Sequence, residues 1–231
     1  MSLARWLCHR WSSAARPRTF IFIVTYARSG STLLQKIVAD IPGSHIMGEN
    51  GDVLAGLHAA YRSAANSREE QGGERRERSG DPWRGAHRIR PNRFNRRIIQ
   101  LFVDEVLRPP SSAWLVGFKE VRYFDHDDLE AYLDYLRVSF PSSLFVFNRR
   151  DGAAVAGSGW WTEHPDDIAA EVKKFDAKVD DYLALHSDAG LVVRYEEYCR
   201  DPAHLLPLFS RLGVQFNSER LQLLMTERLT H

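Results

Sequence analysis

Short apolar runs alternate with longer stretches of helical hydrophobic spacing along most of the chain. Four runs, rich in β-branched and aromatic residues, predict buried strands at 20–25, 113–121, 143–150 and 190–198. Helical spacing predicts helices at 32–40, 51–65, 94–107, 127–138, 166–185 and 202–212, with another opening at Asp151. Continuous apolar strands that alternate with helices are typical of a parallel sheet covered on both faces. The pattern predicts an α/β fold, a three-layer sandwich around a mainly parallel sheet of four to five strands.

Polar residues cluster directly after each predicted strand. The clusters lie at 28–32, 119–122, 149–158 and 194–197. In parallel sheets of this kind, ligands bind beyond the carboxyl ends of the strands. The clusters therefore mark the expected ligand site.

The sequence TYARSGST, between the first strand and the following helix, has the composition of an anion-binding loop. Backbone N–H groups of such a loop and of the helix N-terminus form a cavity for an anion. Gly30 permits a close approach, and Arg28 supplies a full positive charge. Hydroxyl donors come from three further residues, Ser29, Ser31 and Thr32. The predicted ligand is a phosphate, with Arg28 as the main charge.

This loop departs from the nucleoside-triphosphate pattern GxxxxGK[ST]. Thr25 stands at the position of the first glycine, and Ser31 stands at the position of the lysine. No convincing metal-binding aspartate follows. These departures disfavour a kinase-like nucleotide-binding enzyme, which stays as an alternative hypothesis.

A second candidate anion site lies in NRRDGAAVAGSGWW, after the third predicted strand. Arg150 ends the strand, and Ser158 follows eight residues later. If a helix starts near Asp151, Ser158 lies about two turns into it, roughly 11 Å along its axis. Two anion sites after two adjacent parallel strands favour a ligand with two separated phosphates.

Together, YARSGSTLLQ and NRRDGAAVAGSGWW resemble the paired signature of the PAPS-dependent sulfotransferases. The resemblance covers about 20–213 and implies a P-loop NTPase-like fold without ATPase chemistry. It implies that residues 28–32 hold the 5'-phosphosulfate of PAPS and that Arg150 and Ser158 hold the 3'-phosphate. Tyr195, in a segment similar to the family's YED, would lie near the adenine. The product would be adenosine 3',5'-bisphosphate, and no metal is expected.

One part of the family pattern is missing. The basic and glycine-containing terminal loop that closes over the 3'-phosphate in the family is not recognisable before His231.

Sulfonyl transfer to an alcohol requires a base for the hydroxyl proton and positive groups near the developing negative charge. Glu49 in SHIMGEN is the first candidate for the base, because the chain returns there toward the strand ends. The tyrosylprotein and related sulfotransferases likewise place a glutamate after a glycine at nearly this spacing. His45 is the alternative base. Lys119 is the candidate electrophilic group, and Arg122 is a candidate contact to an anionic substrate.

Two features bear on the acceptor. Trp160 and Trp161 follow the second motif, where each packs in the core or forms a stacking wall for a sugar ring. The stretch 62–97 contains eleven Arg, no Lys and five acidic residues. It is interpreted as a solvated insertion, a mobile lid or an anion-binding surface. Both features favour a carbohydrate or glycan hydroxyl, with another small molecule as the wider class.

The same arginine-rich stretch supports one competing hypothesis, a polyanion- or RNA-binding module. A net charge of +1 and the lack of a recognisable nucleic-acid motif argue against that hypothesis. We therefore expect no nucleic-acid partner.

The length of 231 residues predicts one domain at 20–231 after a basic tail at 1–19. Two cysteines without a CxxC pattern indicate neither a disulfide framework nor a zinc site, and favour a reducing compartment. The tail has no apolar centre of a signal peptide, and no apolar span of roughly 18 residues follows. The predicted location is cytoplasmic, with an organellar targeting segment as the alternative interpretation of the tail.

Overall fold

The computed structural model describes residues 17–72, 80–158 and 165–226. Its centre is a five-stranded sheet in which every neighbouring pair is parallel, in the order β2-β3-β1-β4-β5. The predicted α/β fold is therefore confirmed. The strands are β1 (Thr19–Val24), β2 (Ser44–Met47), β3 (Leu115–Glu120), β4 (Ser143–Arg149) and β5 (Gly190–Arg194).

Helices cover both faces of the sheet. They are α1 (Ser31–Ala39), α2 (Val53–Gln71), α3 (Pro91–Leu101), α4 (Leu129–Ser139), α5 (Gly152–Ala156), α6 (Pro165–Leu185), α7 (Tyr195–Arg200), α8 (Leu206–Leu212) and α9 (Ser218–Thr226). A π-helical segment, Phe102–Leu107, continues α3, and short 3₁₀ turns lie at Ala86–Arg88, Arg122–Asp125 and Pro202–Leu205.

The central strand β1 explains why the predicted strands are apolar without interruption. Phe20, Phe22 and Val24 pack in the core on one face, whereas Ile21 and Ile23 pack in the core on the other. Successive side chains of a strand point to opposite faces, so a strand covered on both sides is apolar at every position.

The structure adds one strand to the prediction and ends another strand earlier. SHIM was not among the predicted strands, yet it forms β2 at the edge of the sheet, paired with β3. Its side chains are only partly buried, so it lacks the apolar run that identifies the central strands. The last strand ends at Arg194, and the predicted continuation to 198 is wrong, because Tyr195 begins a helix. Two glutamates in its first turn favour a helix start there.

The arginine-rich stretch 62–97 contains more helix than expected. Helix α2 continues to Gln71, and α3 starts at Pro91. The prediction failed here because it relied on hydrophobic spacing. Arg, Glu, Gln and Ala have high helix propensity even where no apolar face is buried, and proline is favoured in the first turn.

Candidate active site

A cleft of about 600 Å³ lies beyond the carboxyl ends of β1, β3 and β4. Among the described residues, four cations and two carboxylates line it. The lining residues are Ala27, Arg28, Gly30, Ser31, Thr32, Glu49, Lys119, Val121, Arg122, Phe124, Asp125, Arg150 and Tyr195. The structure thus brings together residues from all four predicted clusters and from the loop after β2.

The loop after β1 offers backbone donors to the cleft. Gly30 lies just before α1 with a φ of 75°, and the helix start has no side-chain cap and no acid in its first turn. A Cβ at Gly30 would overlap the ring of Tyr195, so glycine is required for this close approach as well as for its φ. Uncapped N–H groups at a helix start favour an anion.

Arg28 is held in the left-handed region at a φ of 62°, a conformation that costs a non-glycine residue on the order of 1–3 kcal/mol. Its Nε donates to the Ser158 hydroxyl at 3.0 Å. Its carbonyl accepts a hydrogen bond from Arg150 Nη1 at 2.7 Å. The two candidate anion loops are therefore joined through Arg28.

Ser29 is fully buried and does not line the cleft, whereas Ser31 and Thr32 do. Its Oγ lies 2.7 Å from Thr25 Oγ1, which donates to the carbonyl of Asn148 at 2.9 Å. Asn148 in turn donates to the carbonyl of Ser29 at 3.0 Å and accepts from the Tyr198 hydroxyl at 3.0 Å. The Ser29 hydroxyl therefore supports the loop from inside, whereas the prediction gave it to the ligand as a donor.

The loop after β4 places Arg150 at the cleft. Its backbone N–H donates to the Tyr26 hydroxyl, and that hydroxyl donates to the Arg150 carbonyl, both at 2.9 Å. The guanidinium carbon lies 4.8 Å from the centre of the Tyr195 ring, and Nε lies 3.8 Å from Glu196. Burial raises the pKa of Tyr26, so its hydroxyl stays protonated and able to donate.

Ser158 does not lie on a helix, as was expected. Helix α5 ends at Ala156, and Ser158 follows Gly157 in a turn. The assumed two turns of continuous helix were therefore wrong. The turn carries the Ser158 hydroxyl to Arg28.

The candidate base and the candidate electrophile meet across β2 and β3. Lys119 Nζ forms an ion pair with Glu49 Oε1. The lysine side chain is 7% exposed and the glutamate side chain 46% exposed, so the carboxylate reaches solvent at the cleft while the amine is held behind it. The strand ends at Glu120, and this explains why both Lys119 and Arg122 line the cleft despite strand alternation.

A sulfotransferase family model matches residues 20–218 of the sequence. That span includes most of the chain and every described residue that lines the cleft. The chain belongs to the sulfotransferase family. A comparison with curated protein sequences gave no significant match.

Solved sulfotransferase structures share this fold. The sulfotransferase domain of the Synechococcus PCC 7002 olefin synthase is 20% identical over 91% of this chain and 78% of that chain, with a TM-score of 0.56. The sulfotransferase from Alicyclobacillus acidocaldarius is 18% identical over 94% of this chain and 87% of that chain, with a TM-score of 0.50. These likenesses confirm the P-loop-like fold of this sulfotransferase.

Some predicted residues of the sulfotransferase site lie elsewhere. His45, the alternative base, does not line the cleft, and its Nε2 lies 2.7 Å from the carbonyl of Leu107. It pairs with Val116 in the sheet, three residues before Lys119, or about 10 Å along the strand. Trp160 and Trp161 lie outside the described residues.

Other residues of the site were not predicted. Phe124 and Asp125 line the cleft from the 3₁₀ turn after β3. Asn148 and Tyr26 support the anion loops, and both are polar residues at the ends of apolar strands. That position is the one signal in the sequence that could have identified them.

A further buried network of hydrogen bonds fixes the end of the loop after β2, at Asp52. Asp52, with a φ of 54°, accepts a hydrogen bond from the Tyr132 hydroxyl at 2.7 Å and lies 2.6 Å from His126 Nε2. Burial acts to raise the pKa of Asp52, but the hydrogen bonds from His126 and Tyr132 outweigh it and hold that pKa below its usual range. The carboxylate is therefore charged and fixed at the start of α2.

No helix in the described ranges 17–72, 80–158 and 165–226 is both long and apolar enough to cross a membrane.

Proposed function

We propose that this sulfotransferase moves a sulfonyl group from PAPS to an acceptor hydroxyl on a carbohydrate or glycan. One observation supports this proposal above the others. A single cleft unites two cationic loops with a solvent-reaching carboxylate that is paired with a lysine. The family generally uses PAPS as its sulfonyl donor.

The residues of the cleft fit such a donor. Arg28, the hydroxyls of Ser31 and Thr32 and the uncapped N–H groups of α1 would hold the 5' end. Arg150 would hold the 3'-phosphate together with Ser158, which contacts Arg28, and Tyr195 would lie beside the adenine. When bound, PAPS supplies a sulfonyl group attached to a phosphate leaving group.

Glu49 and Lys119 would divide the chemical work. The Glu49 carboxylate takes the proton of the acceptor hydroxyl as the new O–S bond forms. The Lys119 ammonium donates hydrogen bonds to oxygen atoms that gain negative charge as the old S–O bond breaks. Their contact also places the positive charge close to the reacting atoms without exposing it to bulk water.

The acceptor class is supported by two further residues of the cleft. Phe124 and Arg122 line the cleft together with the candidate base. An aromatic ring provides an apolar surface for a sugar, and a guanidinium binds acidic groups on it. Transfer of sulfonyl groups from PAPS to a panel of mono- and oligosaccharides, with simple phenols as comparators, would test this assignment. Turnover with phenols alone would reject the carbohydrate acceptor.

Calorimetric titration tests the donor. We expect adenosine 3',5'-bisphosphate to bind and ATP with magnesium to bind more weakly or not at all. Arg150→Ala should weaken bisphosphate binding roughly 10- to 100-fold, since charge-assisted hydrogen bonds contribute about 1.5–3 kcal/mol. Arg137→Ala is the matched control, because Arg137 lies outside the cleft and pairs with Asp188 at 3.4 Å. Binding of ATP with magnesium alone would overturn the proposed function.

A further inference from the structure

Glu120 is a buried carboxylate with an unusual set of partners. It is the last residue of β3, and it has no exposed surface. Its Oε2 accepts hydrogen bonds from the backbone N–H groups of Asn50 at 3.1 Å and Asp52 at 3.0 Å. Its Oε1 accepts from those of Val121 at 2.9 Å and Arg122 at 3.2 Å. One side chain thus joins the loop after β2 to the turn after β3.

These hydrogen-bond donors belong to the two segments that carry the candidate catalytic pair. Asn50 follows Glu49 directly, and Glu120 follows Lys119 directly. The hydrogen bonds from Asn50 and Asp52 therefore fix the loop that carries the carboxylate to the strand that carries the ammonium. The Glu49–Lys119 contact spans the same two segments.

We propose that Glu120 is a positioning residue that holds the Glu49 carboxylate in register with Lys119 and with the acceptor hydroxyl. The inference rests on the proposed function, in which Glu49 is the base. Glu120 does not line the cleft and does not touch the reacting groups; it acts through the backbone of the loop. A displacement of about 1 Å in such a site reduces turnover by up to about 100-fold.

The loop itself needs an external anchor. Gly51 and Asp52 are consecutive residues in the left-handed region, with φ values of 71° and 54°. A left-handed aspartate is stable only where surrounding contacts determine its conformation. Glu120 supplies these contacts from the sheet, and His126 and Tyr132 supply them at the Asp52 side chain.

The chemistry of the four donors makes a carboxylate necessary. Two oxygens accept two N–H groups each, and an ionised carboxylate offers only acceptors. In Glu120→Gln, the amide NH₂ would replace one oxygen and face two N–H donors. Either the pair from the loop or the pair from the turn must then lose its partner, although the side chain keeps its size.

The experiment is a double-mutant cycle on kcat, with Glu120→Gln made alone and in Glu49→Gln. The acceptor is whichever member of the saccharide and phenol panel the wild-type enzyme uses. We expect Glu120→Gln alone to lower kcat roughly 10- to 100-fold, with the Kd for adenosine 3',5'-bisphosphate within about twofold of wild type. In the Glu49→Gln background, Glu120→Gln should lower kcat less than about twofold, since a residue that acts through Glu49 has little left to position.

Two controls separate positioning from general destabilisation. Asp128→Asn removes a carboxylate that caps α4 by accepting from Ala131 N–H at 3.1 Å, outside the cleft. It should lower the melting temperature while kcat stays within about twofold of wild type. In Glu120→Gln, amide hydrogen exchange should become faster at whichever pair loses its acceptor, Asn50 and Asp52 or Val121 and Arg122. In Asp128→Asn it should stay unchanged at all four.

The outcomes are distinguishable. Additive losses in the cycle, or wild-type kcat in Glu120→Gln, would overturn the inference and leave the proposed function standing. A wild-type enzyme that neither binds the bisphosphate nor uses PAPS with any acceptor would overturn both, whatever the exchange rates show.

Discussion

The two walls of the cleft differ in their charged residues and in the way those residues are supported. The donor wall, formed by residues 25–32 and 148–158, presents the arginines Arg28 and Arg150 and supports them mainly with neutral hydroxyls and carbonyls. The acceptor wall, formed by residues 48–52 and 119–125, presents groups of both signs, and Lys119 and Glu120 support its Glu49 carboxylate. Neutral supports leave the arginine charge available to a ligand, whereas charged supports fix the position of a single carboxylate.

This difference suggests that the walls have separable tasks. Changes on the donor wall should affect nucleotide affinity, and changes on the acceptor wall should affect turnover. A donor-wall variant that changes only turnover, or an acceptor-wall variant that changes only nucleotide affinity, would contradict this division.

The largest effect is expected for Glu49→Gln. We expect kcat to fall on the order of 10²- to 10⁴-fold, because the amide cannot accept the hydroxyl proton, while bisphosphate affinity stays within about twofold. Steady-state kinetics and calorimetry measure the two quantities. Asp125→Asn is the matched control, since Asp125 is the second carboxylate among the described residues that line the cleft. A larger loss in Asp125→Asn would transfer the role of base to Asp125.

A smaller effect, on affinity, is expected for Gly30→Ala. The new methyl group would overlap the Tyr195 ring, which must move away from its place beside Arg150. Bisphosphate affinity should fall roughly 10-fold, or about 1.4 kcal/mol, because the Tyr195 ring would no longer lie beside the adenine. Gly85→Ala is the control, because Gly85 also has a positive φ of 87° but has open space around it. It should lose stability and keep its affinity; equal loss of affinity in both variants would contradict the steric explanation.

The smallest effect concerns Arg149, which precedes Arg150 but turns away from the cleft. Its Nε lies 3.2 Å from Asp176, and its Nη2 lies 2.8 Å from Asp180, both on α6. Burial raises the pKa of Asp176 from 3.8 to about 6, although Arg149 opposes this rise. The folded chain therefore keeps the proton at pH values where the unfolded chain has lost it, so this carboxyl lowers stability as pH rises from about 4 to about 6.

Asp176→Asn should remove this decrease in the free energy of unfolding between about pH 4 and about pH 6. The decrease is roughly 1 kcal/mol after allowance for solvent screening at a partly exposed group. Urea unfolding at pH 4, 5, 6 and 7 would measure the free energy of unfolding in both proteins. Bisphosphate affinity should stay unchanged, because the Arg149 side chain pairs with Asp176 and Asp180 and does not line the cleft. A pH slope that persists in the variant would assign it to another carboxyl.

The sequence predicts the donor wall better than the acceptor wall. Each donor loop is one continuous motif that follows an apolar strand, so spacing alone identified Arg28 and Arg150. The acceptor wall combines two segments about 70 positions apart, and its edge strand β2 lacks a hydrophobic run. Glu49 and Lys119 were named separately, but nothing in their local sequence predicts that they form an ion pair.

Glu120 illustrates the limit most clearly. A glutamate at a strand end normally indicates a solvated charge. Its burial depends on four backbone N–H groups that meet only after the sheet has formed. Ser158 was misplaced for a related reason, because helix continuity past Gly157 was assumed from spacing alone.

The edge position of β2 has a consequence for motion. Among the described strands, β2 pairs only with β3, over four residues, whereas β1 pairs on both sides and is covered by two cores. Elements with few backbone pairs open locally at lower free energy than the centre of a sheet. Local opening should therefore require less free energy at β2, beside the candidate base, than at the central strands that precede the two anion loops.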